Sequence, residues 1–169
     1  YQTAFDNLRR SRPGQSTSLQ LTSSEEPAIN IYKPGGTGIL LLGEVVGRQV
    51  AQGKGGDHMG RWSYLHLRRK NLPPLTIISA YQVCSRPTNL IGNTAYHQQV
   101  RALSTTGAPL IHPRQAFIRD LEIYVTRLQN QGHDIILGGD FNESLDDKHS
   151  GLLKLITSTN LTDPFLFRH

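Results

Sequence analysis

Asp134-Ile135-Ile136-Leu137-Gly138-Gly139-Asp140-Phe141-Asn142-Glu143 is the stretch on which the reading of this chain turns. Ile135 to Leu137 is a short apolar run of the kind that forms a buried strand. Gly138 and Gly139 end it and allow a tight backbone path. A carboxylate and a carboxamide follow, Asp140 and Asn142, with one residue between them. A strand that delivers Asp and Asn at its carboxyl end holds polar groups rigidly at the rim of a sheet. The same residues also fit a plain strand followed by an Asx turn, with Asp140 and Asn142 bonding only their own backbone.

Outward from this stretch, the pattern upstream is helical. Phe117, Leu121, Tyr124 and Leu128 form one apolar stripe, widened by Ile118 and Val125, with Pro113 at the first turn and Gly132 as the stop. Downstream, Leu152, Leu153 and Ile156 mark a short helix, and Leu161-Thr162-Asp163 begins another element. Further upstream, the alternation over Arg61 to Arg68 and the run Leu75 to Tyr81 predict two strands. They are joined by the turn Arg68-Arg69-Lys70-Asn71-Leu72-Pro73-Pro74 into an antiparallel hairpin. Tyr96, Val100 and Leu103 suggest a short helix, and Tyr1, Phe5 and Leu8 another that stops at Pro13 and Gly14. Leu19 and Leu21 belong to a short strand, Tyr32 to Thr37 to a turn, and Gly38 to Leu42 to an apolar strand. After a bend at Gly43, Val45, Val46 and Val50 continue the sheet. Ala51 to Gly60 reads as a Gly-rich hairpin loop, because Gly53, Gly55 and Gly56 lack the terminal Lys-Ser/Thr of a nucleotide-binding loop. Strand pairs first, then helix and strand in alternation, predict a mixed α/β layered domain.

Composition sets outer bounds. A chain of 169 residues with 37 % hydrophobic and 18 % charged residues can bury a core. Its net charge of +5 is compatible with a polyanionic partner such as nucleic acid. The single cysteine, Cys84, excludes an internal disulfide framework and a cysteine-rich zinc site; with no His partner it reads as a small buried residue. The His residues are scattered without metal-binding spacing, and no apolar run approaches the ~20 residues of a membrane span. Both ends read as cuts, Tyr1 within a helical pattern and Pro164 to His169 with three large apolar side chains. The expectation is a single incomplete domain over residues 1–169.

Several blocks, in this order, resemble the endonuclease/exonuclease/phosphatase superfamily. They are the Gly-Gly turn into a strand (Pro34 to Leu42), the Tyr-ending strand Thr76-Ile77-Ile78-Ser79-Ala80-Tyr81, the long helix, Gly139-Asp140-Phe141-Asn142, and Leu161-Thr162-Asp163 with a following Arg. The combination is most similar to the apurinic-type endonuclease domains of non-LTR retroelements. The resemblance implies an α/β fold, a four-layer sandwich of two mixed sheets flanked by helices, here truncated at both ends. It implies hydrolysis of phosphodiester bonds with Mg²⁺ or Mn²⁺ and a DNA substrate. A reverse transcriptase domain in the same parent polypeptide, no membrane, and an intracellular, nuclear location complete the picture.

Carried over by motif, Asp140 orients and deprotonates the attacking water. Asn142 helps to position Asp140 or the phosphate and sits close to the metal, with Asp140 as the other candidate ligand. Tyr81 directs its hydroxyl to the scissile phosphate. Asp163 belongs to a polar-anchor segment. The chemistry agrees with these residue types, since charge that grows on a phosphodiester in the transition state calls for donors and an aimed base. Arg61, Arg68, Arg69, Lys70 and Arg86 are the candidate DNA-contacting cations, although the turn at Arg68 to Lys70 also fits a merely solvated tip. The family's metal-binding Glu upstream and its Asp-His pair downstream have no counterpart in this sequence. The fragment alone is therefore expected to have little or no activity. Another phosphoesterase of the same superfamily, or a degenerate relic that binds nucleic acid without catalysis, are the competing readings.

Overall fold

The computed structural model describes residues 19–23, 36–55, 59–84, 92–105 and 112–164. The expectations for Tyr1 to Gly14, for Tyr32 to Gly35, for Arg86 and for the segment after Pro164 lie outside the described residues. Strands run over Leu19–Ser23 (β1), Gly38–Leu42 (β2), Gln49–Lys54 (β3), Trp62–Leu67 (β4), Leu75–Tyr81 (β5) and Asp134–Asp140 (β6). Helices run over Ala95–Thr105 (α1), Pro113–Asn130 (α2) and Gly151–Ser158 (α3). The architecture is α/β. A four-stranded sheet of order β3-β4-β5-β6 is antiparallel throughout its first three strands and parallel between β5 and β6, and β1 and β2 form a separate antiparallel pair.

Side-chain alternation gives the larger sheet two different faces. Trp62, Ile78 and Ala80 face α2 and α3, where they pack with Phe117, Leu121, Tyr124, Val125, Leu128, Leu152 and Leu155. The predicted helical stripe is thus the core, and each large side chain buried there contributes about 1.5–3 kcal/mol. Leu65 and Leu67 point the other way, with Leu75 and Ile77, and meet Leu41 of β2. β1 lies against β3 and β4, and β2 against β4 and β5. Among the described residues this makes three layers, a strand pair, a mixed sheet and helices.

Several local expectations change. Val45 and Val46 do not extend a strand: Gly43, at φ +71°, starts a 3-10 turn over Gly43–Arg48 before β3 begins. The Gly-rich stretch is not wholly a loop, since Ala51 to Lys54 lie in β3. Its glycines make room for rings: a Cβ on Gly53 would stand 2.6 Å from the Tyr64 hydroxyl, and one on Gly55 would stand 2.9 Å from the Trp62 ring. β6 is an edge strand among the described residues, so the run expected to be buried is covered on one face only and Ile136 is 53 % exposed. Leu161 to Asp163 form neither helix nor strand.

The carboxyl-terminal half of β4, the amino-terminal half of β5 and the residue just before β6 are further tied by polar groups. The buried Thr76 hydroxyl meets His66 Nδ1 at 2.8 Å and His133 Nδ1 at 2.7 Å. Burial, then the neighbouring His133 and Arg127, hold the His66 imidazole below its usual pKa and favour its neutral form.

Candidate active site

The parallel ladder sets Tyr81 opposite Asp140 at the carboxyl ends of β5 and β6. In a parallel pair, register partners project to the same side, here the side shared by Ile77 and Ile136. Neighbouring strands lie about 4.8 Å apart, so the two side chains start side by side. Backbone bonds pin both: Tyr81 N–H donates to Arg61 O at 2.9 Å, and Gln82 N–H donates to Asp140 O at 2.9 Å. Tyr81 is half-buried and Asp140 is exposed. The close approach requires Gly139, whose Cβ would fall 1.9 Å from the Ala80 carbonyl oxygen.

Asp140 Oδ1 accepts the Asn142 backbone N–H at 3.0 Å, the Asx turn that the sequence allowed. Among the described residues its second oxygen accepts no hydrogen bond. Asn142 adopts φ +48°, and both ends of its carboxamide are engaged. Nδ2 donates to Gln82 O at 2.8 Å, and Oδ1 accepts from the Cys84 thiol at 3.3 Å. The side chain therefore fastens the segment after Tyr81 to the turn after Asp140. Cys84, expected to be buried, is exposed at this junction. Phe141, between the two polar residues, turns inward and meets Phe117 edge-on at 6.2 Å.

Glu143 and Arg114 complete the arrangement, and neither was assigned a role from sequence. Arg114 Nη2 contacts Glu143 Oε1 at 2.6 Å, and Glu143 Oε2 accepts from Ser150 Oγ and from Leu152 N–H, each at 2.7 Å. The usable signal was an arginine directly after Pro113, in the first helical turn, where the helix dipole disfavours a cation and a partner carboxylate is called for. Burial pushes the Glu143 carboxyl up, but the Leu152 and Ser150 donors and the Arg114 charge outweigh it and hold the pKa below the usual 4.5. A depressed folded-state value means stability that is present above about pH 4.5 and lost as pH falls through the folded pKa. Glu143→Gln should accordingly lower the unfolding temperature at pH 7, and its curve should approach the wild type as the pH falls through the folded-state pKa of Glu143. Thermal unfolding of both forms across pH 3–7 checks this; a gap that stays constant with pH would exclude it.

Among the described residues, the side chains of the candidate DNA-contacting cations Arg61, Arg68, Arg69 and Lys70 do not gather here. Arg61 is 1 % exposed and binds Asp120 at 2.6 Å, so it lies inside the protein and not on a DNA-facing surface. Arg69 pairs with Asp134 and donates to Pro73 O at 2.7 Å, which binds it into its turn. Arg68 and Lys70 are exposed, but their turn precedes β5, whereas Tyr81 ends it. The length of that strand puts the turn about 20 Å from the Asp140 end. Asp163 is half-buried.

Mg²⁺ usually takes one or two carboxylates. Among the described residues no group of three or more His, Cys, Asp or Glu side chains comes together. Both Glu143 oxygens and both ends of the Asn142 carboxamide are already engaged, and among the described residues the Asp140 carboxylate is held through one oxygen only. These residues do not make a metal site by themselves. No helix among the described residues is long and apolar enough to cross a membrane. Comparison with protein-family models, curated proteins and solved structures gives no match for this chain.

Proposed function

We propose that the chain is part of a DNA endonuclease domain of the endonuclease/exonuclease/phosphatase type, with the four-layer sandwich completed in a longer parent protein. The observation that carries this reading is the register of Tyr81 against Asp140 at adjacent carboxyl strand ends, on one side of the sheet. A carboxylate with one oxygen held by the Asn142 N–H keeps the other for a water proton. A phenol beside it can donate to a phosphate oxygen as negative charge builds. Water attacks phosphorus, the bond from phosphorus to O3′ breaks, the water proton passes to Asp140, and the leaving O3′ takes a proton from solvent. The products are a 3′-hydroxyl and a 5′-phosphate. Mg²⁺ or Mn²⁺ belongs to this reading through ligands beyond the described residues, and no step is drawn through it. A reverse transcriptase in the same polypeptide would extend the 3′-hydroxyl, which fits a nuclear role on DNA.

The test is nicking of supercoiled plasmid by the full-length parent in Mg²⁺, with the new ends assayed for extension by a polymerase. Nicked circles with extendable 3′ ends are expected, and little or no product from the 169-residue chain alone. A parent that leaves the plasmid intact while still retaining it in a binding assay would favour the non-catalytic reading.

A further inference from the structure

The two strand ends that carry Tyr81 and Asp140 continue into separate loops, and one guanidinium joins those loops. Arg114 Nη1 donates to the Val83 carbonyl at 2.5 Å, two residues beyond Tyr81. Its Nη2 donates to the Asn142 carbonyl at 3.1 Å and to Glu143 Oε1 at 2.6 Å, just beyond Asp140. The far side of Glu143 is locked to the start of α3 through Ser150 and Leu152. Arg114 and Glu143 are each 14 % exposed at the side chain, so the contact is largely shielded from water. A planar fork can hold such divergent acceptors at once; the ammonium of lysine, a point charge, cannot.

On this basis we infer that Arg114 is a positioning residue that sets the spacing of Tyr81 and Asp140. The inference rests on the functional reading above only for its consequence in catalysis; the clamp itself is a matter of geometry. Arg114 acts through Val83, Asn142 and Glu143, and its cationic charge stands in the first turn of α2 against the helix dipole. The rate depends on the clamp because a displacement of about 1 Å between reacting groups costs roughly a hundredfold.

Cys84 supplies a reporter that does not depend on catalysis. It is the chain's single cysteine, it is exposed, and its thiol bonds Asn142 across the clamped junction. Arg114→Ala and Arg114→Lys are made in the full-length parent, and alkylation of Cys84 by iodoacetamide is followed by mass spectrometry of its peptide. Losing charge-assisted bonds should speed alkylation about tenfold in Arg114→Ala, with Arg114→Lys between it and the wild type. In plasmid nicking, kcat should fall about a hundredfold with KM nearly unchanged. Arg114→Lys keeps the question open to test should Arg114→Ala not fold. Alkylation rates equal to the wild type in a folded variant overturn the clamp, whether or not the parent is a nuclease. Faster alkylation with an unchanged kcat in an active parent overturns the positioning role. A parent inactive in every form refutes the nuclease reading, and with it the catalytic consequence, while the alkylation rates still decide the clamp.

Discussion

Gly139→Ala should destabilise the protein by about 2–5 kcal/mol, the sum of backbone strain and overpacking. Two independent features make this position intolerant. Its φ is +153°, a conformation that residues with a Cβ rarely adopt. A Cβ there would also lie 1.9 Å from Ala80 O and 2.7 Å from Ala80 C, both backbone atoms of the neighbouring strand. A side chain could rotate away, but the β5 backbone can move only by giving up its ladder bonds with β4 or β6. The neighbouring glycine supplies the control. A Cβ on Gly138 meets nothing within 4 Å, and its φ lies outside the positive region. Gly138→Ala should thus be close to neutral, within about 0.5 kcal/mol. Urea unfolding of the three forms compares them directly. Equal midpoints for Gly139→Ala and Gly138→Ala would mean that β5 and β6 are not packed as described. Because the same backbone approach sets Tyr81 beside Asp140, the alanine variant that does fold should also misplace that pair.

The distribution of apolar residues made the main elements legible. The stripe Phe117, Leu121, Tyr124 and Leu128 has one period and one burial state, and it became the face of α2 that covers the sheet. The hairpin of β4 and β5 was legible because aromatic and branched strands flank a Pro-Pro turn. Register was not legible, because it is fixed by tertiary packing; nothing in the two segments taken separately sets Tyr81 opposite Asp140. Burial of charge was equally hidden. Arg61 reads as one more cation in a basic chain until Asp120, far off in sequence, is seen to meet it. The strand position of Gly53 was hidden for a related reason: Gly53 in β3 and Gly55 just after it accommodate the rings of Tyr64 and Trp62 on the next strand, and a cross-strand fit leaves no local signature. At the candidate site, the register sets Tyr81 beside Asp140, and the Asn142 N–H bonds the Asp140 carboxylate. The carboxamide of Asn142 proves to be committed to Gln82 and Cys84, a role set by the loop after β5 rather than by the motif.

On the endonuclease reading proposed above, with Asp140 as the general base, Asp140→Asn should reduce plasmid nicking by the full-length parent by about 10²–10⁴-fold, the usual contribution of such a group. The substitution separates two functions of one side chain. Asp140 Oδ1 accepts the Asn142 N–H, and an asparagine oxygen can accept the same bond, so the turn and its links to Gln82 and Arg114 should persist. The amide cannot take up the proton of the attacking water, so the chemical step alone is removed. Unfolding temperature and Cys84 reactivity should therefore match the wild type while the rate collapses. Asp140→Ala gives the contrast: it removes the base and also leaves the Asn142 N–H without its acceptor, at a cost of about 1 kcal/mol for a partly solvated group. Tyr81→Phe should be milder than Asp140→Asn, because the ring remains and only the donor to the phosphate is lost. Nicking at the wild-type rate by Asp140→Asn, measured with Mg²⁺ and free of contaminating nuclease, would remove Asp140 from the role of base. The strand end and its Asx turn would then be no more than a way of closing β6.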